Sequence, residues 1–179
     1  MPETSFAGRF LVATPIITTP PFARSVVLLL EHDESGAIGV VLNQPTNLAV
    51  QDHLPEIDGV LSDPALVFLG GPVSSETAIA LGRGSSADFL RPSALADVGI
   101  IDLEKPLDDL DDLRIFAGYA GWDPDQLEAE LAEGAWWIVL ANSSDVFAAE
   151  TDDLWVRTIE RAPGTIPLYA TYPTDPSAN

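Results

Sequence analysis

The clearest architectural signal is the segment Arg24-Ser-Val-Val-Leu-Leu-Leu-Glu-His-Asp-Glu-Ser-Gly-Ala-Ile-Gly-Val-Val-Leu-Asn-Gln-Pro45. Two runs rich in Val and Leu, Ser25–Glu31 and Ala37–Leu42, flank a turn cluster that ends in Gly36. Strand-forming runs around such a turn predict a β-hairpin with a longer loop. Because both arms are apolar almost throughout, we expect the hairpin to be buried on both faces.

Short strand and helix signals alternate irregularly along the rest of the chain. Further strands are predicted at Phe10–Ala13, Ala65–Leu69, Glu76–Leu81, Val98–Leu103, Ile115–Tyr119 and Ala135–Ala141, with Glu76–Leu81 as an antiparallel partner of Ala65–Leu69. Helices are predicted at Leu107–Leu113, Pro124–Glu133 and Thr151–Glu160, then a last strand or docked tail at Thr165–Tyr172 and a frayed end at 175–179. This pattern predicts one α+β domain spanning residues 1–179, with a mainly antiparallel sheet.

The helix Pro124–Glu133 has the densest local signals. Asp123 is a favoured N-cap residue, and Gln126 stands where a capping box requires it. Trp122 and Leu127 have the spacing of a hydrophobic staple. We therefore expect the Asp123 side chain to cap this helix.

The charge balance restricts the possible partners. Twenty-eight acidic residues face eight basic ones, Lys105 is the only lysine, and the formal net charge is −20. Such a field repels phosphate backbones, which argues against direct nucleic-acid binding. A solubilising acidic surface and a cationic partner are both compatible with this composition.

Composition also bears on compartment and chemistry. The chain has no cysteine, which excludes disulfides, thiolate nucleophiles and cysteine-based zinc sites. Its longest apolar runs fall far below the ~20 residues that cross a membrane, and its first residues lack the basic region of a signal peptide. We expect a cytoplasmic protein without a membrane segment.

Several short motifs stand along the chain in a fixed order. They are Arg24-Ser-Val-Val27, Glu31-His32, Gly36-Ala-Ile-Gly39, Leu42-Asn-Gln-Pro45, Gly70-Gly-Pro-Val73 and Gly118-Tyr-Ala-Gly-Trp122, the last followed by Gln126-Leu-Glu128. Together they resemble the YqgE/AlgH family of bacterial proteins. The resemblance implies a compact α+β fold whose sheet curves into a partly open barrel flanked by a few helices.

The resemblance implies no activity, because the family is largely uncharacterised. Some of its members carry the label of transcriptional regulator. Members usually have glycine where Asp125 stands in this chain. In the first turn of a helix an acid is compatible with the macrodipole, so we expect this change to be tolerated.

The most reactive-looking stretch is Glu31-His-Asp-Glu34, with one imidazole beside three carboxylates. This composition suits a metal site or a general base. Neighbours on a strand point to opposite faces, however, so only a subset can converge. The alternative interpretation, which we favour, is a structural bond from His32 across the hairpin turn.

Two glycine-rich turns, Gly70-Gly-Pro72 and Gly118–Pro124, are candidates for backbone that approaches a ligand. They lack the phosphate-binding and dinucleotide fingerprints, and the interpretation that we favour is that the glycines serve tight turns and close packing. We hypothesise that both turns and the hairpin loop border one cleft, with Tyr119, Trp122 and His32 as side-chain contacts. The candidate ligand-binding residues are His32, Asn43, Gly70, Gly71, Tyr119, Gly121 and Trp122.

No catalytic residue, metal ligand or cofactor is predicted. The sequence favours a non-enzymatic binding or regulatory module for a protein or a small ligand. The alternative is a hydrolase or other enzyme that uses His32 with nearby carboxylates. Sparse histidine, a single lysine and the lack of a known catalytic motif favour the first interpretation.

Overall fold

The structure, a computed structural model, describes residues 4–57, 59–85 and 87–174. Its strands are β1 Arg9–Ala13, β2 Val26–Asp33, β3 Gly36–Val41, β4 Pro45–Ala49, β5 Leu66–Leu69, β6 Val73–Arg83, β7 Arg91–Pro92, β8 Val98–Ile100, β9 Asp112–Trp122 and β10 Trp136–Leu140. Its helices are α1 Val50–His53, α2 Gln126–Ala132, α3 Ser143–Val146 and α4 Leu154–Glu160, with a 3-10 helix at Ile166–Thr171. The segment 175–179, expected to fray, lies outside the described residues.

The strands form one mixed, mostly antiparallel sheet. Its order is β10-β1-β2-β3-β9-β6-β8-β7, and β5, which also pairs with β4, joins β9 in parallel. Within the described ranges no strand pairing joins β10 to β7, so the sheet remains partly open. The predicted α+β fold, with a mainly antiparallel and partly open sheet flanked by a few helices, is confirmed.

The predicted hairpin is formed by β2 and β3, but its loop is the two residues Glu34 and Ser35 and not the longer loop that we expected. Its register runs from Val27 opposite Val41 to Asp33 opposite Gly36, with a bulge between Leu29 and Glu31. Residues 26–30 are buried without interruption, as expected for arms covered on both faces. β1 flanks β2, and its other edge pairs with β10, which is the last strand along the chain.

Alternate residues of β1, β2 and β3 pack into two different cores, one on each face of the sheet. The first, which we call the α4 core, includes Phe10, Leu28, Val40, Leu154, Trp155 and Ile159. The second, which we call the α2 core, includes Leu11, Val27, Ala37, Val41, Trp122, Leu127 and Trp136. This alternation assigns each functional candidate on these strands to one face or the other.

The predicted pairing of Ala65–Leu69 with Glu76–Leu81 is wrong. The strands at these positions, β5 and β6, both pair with β9 instead of with each other. Phe116 of β9 is opposite Phe68 in one pairing and opposite Ile79 in the other. The long central strand therefore separates two segments that are neighbours in sequence.

The predicted helix at Leu107–Leu113 is also wrong. Turns occupy this region, and β9 begins at Asp112. Leu113 is fully buried in the sheet, and Leu107 and Leu110 pack against the same cluster. Pairing of β9 with β6 thus overrides a local spacing that imitates a helix face.

Helix α2 begins later than predicted and without the predicted cap. The Asp123 side chain makes no cap hydrogen bond among the described residues; its backbone N–H donates to Gln126 Oε1 at 3.0 Å, which is half of a capping box. The N-cap residue is Asp125, whose backbone is left-handed with φ of 63°. The position usually held by glycine in the family is therefore a left-handed one, which we did not expect, and glycine suits it best.

The C-terminal elements differ modestly from expectation. Helix α4 begins at Leu154, three residues later than predicted, and buries Leu154, Trp155 and Ile159 as expected. The region predicted as a strand or tail contains the 3-10 helix. In the described ranges, no helix has the length and apolar character required to cross a membrane.

Candidate functional site

A cavity of about 570 Å³ opens where four separate segments of the chain meet. The loop after β1, the loop before β2, helix α4 and the segment after the 3-10 helix each form one wall. The lining residues are Thr14, Pro15, Ile17, Thr18, Ala23, Arg24, Trp155, Tyr172, Pro173 and Thr174. This volume lies in the range of roughly 300–1,000 Å³ that is typical of small-molecule sites.

Arg24 is the one charged side chain among these lining residues. Its guanidinium carbon lies 4.1 Å from the centroid of the Trp155 ring, and Nη1 donates to the Tyr172 carbonyl at 3.2 Å. Burial lowers the pKa of Arg24, yet an arginine remains protonated at neutral pH. The cavity therefore holds a fixed positive charge in a chain of net charge −20.

Asn43 fixes the backbone on both sides of Ser25. Its Nδ2 donates to the Arg24 carbonyl at 2.9 Å, and its Oδ1 accepts from the Val26 N–H at 3.0 Å. This clamp holds Arg24 in a left-handed conformation with φ of 55°. The next residue, Gln44, donates to the Pro21 carbonyl. The motif after β3 thus positions the loop that carries Arg24.

The floor of the cavity is held by hydrogen bonds to the end of β1. Trp155 Nε1 donates to the Ala13 carbonyl at 2.8 Å, and the Trp155 side chain is buried. Thr14 Oγ1 donates to the Gly134 carbonyl at 2.7 Å. Beside Arg24, the Ser25 hydroxyl is fully buried and has no hydrogen-bond partner among the described residues. The cavity is therefore a preformed feature of packed elements.

His32 uses both of its ring nitrogens. Nδ1 accepts from the Phe6 backbone N–H at 3.0 Å, and Nε2 lies 2.7 Å from Glu128 Oε1. Because Nδ1 accepts, the neutral ring carries its proton on Nε2 and donates it to Glu128. The Phe6 ring stacks on the imidazole with centroids 5.4 Å apart. His32 thus bonds to the N-terminal segment and to α2, not across the hairpin turn.

The ionisation of Glu128, the partner of His32, also depends on this environment. A hydrogen bond from its own backbone N–H, and then the His32 side chain, hold the pKa of Glu128 below its usual value. Glu128 is about half exposed, so solvent weakens this interaction. Across the residues that the structure describes, no group of three or more His, Cys, Asp or Glu side chains is arranged to hold a metal ion.

Trp122 is a core residue whose polar atom is occupied. Its Nε1 donates to Glu130 Oε2 at 2.9 Å, and Trp136 Nε1 donates to the same oxygen at 2.8 Å. The two indoles meet edge to face with centroids 5.9 Å apart. One carboxylate on α2 therefore satisfies two buried indoles in the α2 core.

The glycines of the two turns bring chain segments into close contact. Gly70 and Gly71 are buried, and a Cβ atom at either position would collide with the backbone of Gly118 or Tyr119. The Gly70 carbonyl also accepts from the Val41 N–H at 2.8 Å. Gly121, by contrast, is exposed, and a Cβ there would make only ordinary contacts.

The structure brings some of the predicted site residues together and separates others. His32 is opposite Ala37, and Ala37 is opposite Trp122, so these side chains share the face of the α2 core. Tyr119 packs against the α4 core on the other face. The hypothesis that Tyr119 and His32 border one cleft does not match this geometry. Ligand binding by the seven candidate residues stays a prediction.

Most lining residues of the cavity were not singled out from the sequence. Arg24 appeared only as the first residue of a motif, and Asn43 belongs to the clamp behind it. Because the walls come from segments as distant as Thr14 and Tyr172, no local pattern reveals them. The available signal was an arginine directly before a buried strand in a chain with few cations.

Fold and site together define a small α+β protein with a partly open sheet and a ligand-sized cavity. The chain belongs to the AlgH-like family, whose profile, DUF179, matches residues 10–167. This confirms the resemblance to YqgE/AlgH proteins.

Relatives and solved structures agree with this membership. The chain is 44% identical to a UPF0301 protein of Streptomyces coelicolor, over 98% of this chain and 96% of that protein. It is 38% identical to a UPF0301 protein of Thermobifida fusca, over 100% and 98% of the two chains. A crystal structure from Corynebacterium diphtheriae is similar with a TM-score of 0.87, 30% identity and coverage of 96% and 95%. The solution structure of AlgH from Pseudomonas aeruginosa is similar with a TM-score of 0.69, 26% identity and coverage of 97% and 98%.

Proposed function

We propose that this protein is a non-enzymatic cytoplasmic module that binds a small ligand in the Arg24 cavity. The observation that carries the proposal is one guanidinium, with donors that have no acceptor among the described residues, inside a preformed, mostly apolar cavity of about 570 Å³. Ligand sites are typically apolar enclosures with a few convergent polar groups. Any regulatory output then depends on ligand binding or on a protein partner, since the net charge of −20 opposes direct contact with nucleic acid.

The geometry of His32 supports a binding role over the alternative of a hydrolase. A general base needs a ring nitrogen whose lone pair reaches the proton that it removes. In His32 that lone pair, on Nδ1, accepts from the backbone N–H of Phe6, and Nε2 faces Glu128. Its carboxylate partner Glu128 lies on the surface of α2 and lines none of the cavity walls described above. This arrangement supports a structural histidine.

A thermal-shift screen with nucleotides, divalent metals and common metabolites tests the proposal. Thr18→Phe puts a ring at a lining position, and Thr19→Phe adds the same ring at the adjacent exposed position that does not line the cavity. We expect a ligand that raises the melting temperature of the wild type and of Thr19→Phe but not of Thr18→Phe. If no compound stabilises the wild type, or if Thr18→Phe responds equally, the cavity is not a ligand site.

A further inference from the structure

Arg24 determines which charge the cavity accepts. Among the lining residues that the structure describes, it is the only charged one, and the others contribute mainly apolar groups and hydroxyls. At about 0.15 M salt, exposed charges farther than roughly 8 Å are largely screened. A bound group therefore responds mainly to the guanidinium that it contacts, in spite of the acidic surface. The cavity favours an anion.

The donor set distinguishes between anions. The planar guanidinium fork matches a carboxylate in a two-bond arrangement. One nitrogen, Nη1, already donates to the Tyr172 carbonyl, and the remaining N–H donors have no protein acceptor among the described residues. A phosphate dianion is usually held by several cations or by clustered backbone N–H groups. The lining supplies one cation, which suits a singly charged carboxylate.

The rest of the cavity favours an apolar body. Pro15, Ile17, Ala23 and Pro173 present carbon atoms toward the enclosed space. Burial of apolar ligand surface against these groups is favourable, whereas a second charge there would lose hydration without a partner. The single cation at one wall and the apolar walls around it suit a ligand that has one charged end and an apolar remainder.

We infer that the Arg24 cavity binds a carboxylate carried on an apolar body, an inference that rests on the proposed function. The carboxylate accepts from the free donors of Arg24, and the apolar body contacts Pro15, Ile17 and Ala23. Asn43 is a positioning residue, because it holds the backbone on both sides of Ser25 and thereby aims Arg24.

Calorimetric titration with shape-matched probes tests this inference. Naphthalene-2-carboxylate carries the charge, naphthalene-2-carboxamide has the same shape without it, and naphthyl phosphate presents a dianion. We expect the carboxylate to bind the wild type at least ~10-fold more tightly than the amide or the phosphate. Arg24→Gln should remove this preference, Arg24→Lys should retain part of it, and Arg9→Gln, at an exposed position outside the cavity, should retain all of it.

Three kinds of result would overturn the inference, each for a different reason. Equal binding of carboxylate and amide by the wild type, or an unchanged preference in Arg24→Gln, removes the role of the charge. Tighter binding of naphthyl phosphate would identify a dianion site. If no naphthyl probe binds while the metabolite screen finds a ligand that Thr18→Phe excludes, the ligand class is wrong and the proposed function stands. If the Arg24→Gln chain does not fold, the wild-type comparison with the amide still decides.

Discussion

The two faces of the sheet use their polar side chains differently. On the face of the α2 core, His32, Glu130 and the indoles of Trp122 and Trp136 are all bonded to one another or to backbone. On the cavity side, Arg24 donates one bond, and its other N–H donors have no acceptor among the described residues. Saturated polar groups stabilise a fold, whereas unused ones are available to a ligand. His32, the residue that looked most reactive in the sequence, therefore has both of its ring nitrogens engaged in hydrogen bonds.

The largest loss of stability that this comparison predicts follows from substitution of Glu130. Glu130→Ala leaves two buried indole N–H groups without an acceptor and should lower the free energy of unfolding by about 3 kcal/mol. Urea denaturation measures the change. Glu133→Ala, at an exposed position at the end of the same helix, is the control and should have little effect. Equal midpoints for the two variants would show that the indoles find other partners.

Substitution of His32 should cause the next largest loss of stability. His32→Leu removes the acceptor of the Phe6 N–H and the bond to Glu128, and should cost about 1–2 kcal/mol of unfolding free energy. His53→Leu changes the other histidine, which is exposed, and serves as the control. The Phe6 amide should also exchange hydrogen faster in His32→Leu. An unchanged exchange rate would contradict the bond to Nδ1.

Substitution of Asp125 should increase the stability of the protein, whereas the two substitutions above should decrease it. Its left-handed backbone, with φ of 63°, disfavours residues with a side chain, although Asp tolerates it better than most. Asp125→Gly should raise the free energy of unfolding by about 0.5 kcal/mol. Asp123→Gly on the same turn is the control and should destabilise or have no effect. A loss of stability in Asp125→Gly would mean that the Asp125 carboxylate contributes more than backbone strain removes.

The smallest effect concerns the charge of Glu128. Because its pKa is lowered in the folded state, the ionised form stabilises the protein above the unfolded pKa of about 4.3, and this contribution is lost as the pH falls through the folded pKa. At pH 6, Glu128→Gln should be less stable than the wild type by roughly a few tenths of a kcal/mol, since the pair is half exposed. Denaturation curves at several pH values should converge in acid. A difference that persists there would assign the effect to shape instead of charge.

Local sequence signals predicted those elements whose apolar pattern has the period of the structure they form. The β2–β3 hairpin and the inner side of α4 follow from apolar patterns that their burial confirms. The helix predicted at Leu107–Leu113 failed because three leucines at helical spacing serve a turn and the start of a buried strand. Sequence spacing alone could not distinguish these cases, since β6 supplies the partner of β9.

Local sequence patterns could not predict the cavity either, because its walls come from segments that meet only in the folded chain. Its cation lies before β2, its aromatic floor on α4 and its outer wall near Tyr172. Only the tertiary arrangement brings these residues together. Asn43 was named from the sequence as a residue that satisfies a turn backbone or contacts a ligand, and the structure gives it two backbone bonds around Arg24. Its ligand contact remains a prediction.

The pairing of β1 with β10 has a consequence for the chain during its synthesis. β1 emerges early and β2 follows closely, but the strand that covers its other edge is made on the order of 10 s later at ribosomal rates. Until then, an apolar strand edge is open to pairing with another nascent chain. The acidic composition supplies mutual repulsion during this interval. We expect chains truncated after Gly134 to self-associate in high salt and to remain dispersed in low salt, as measured by light scattering.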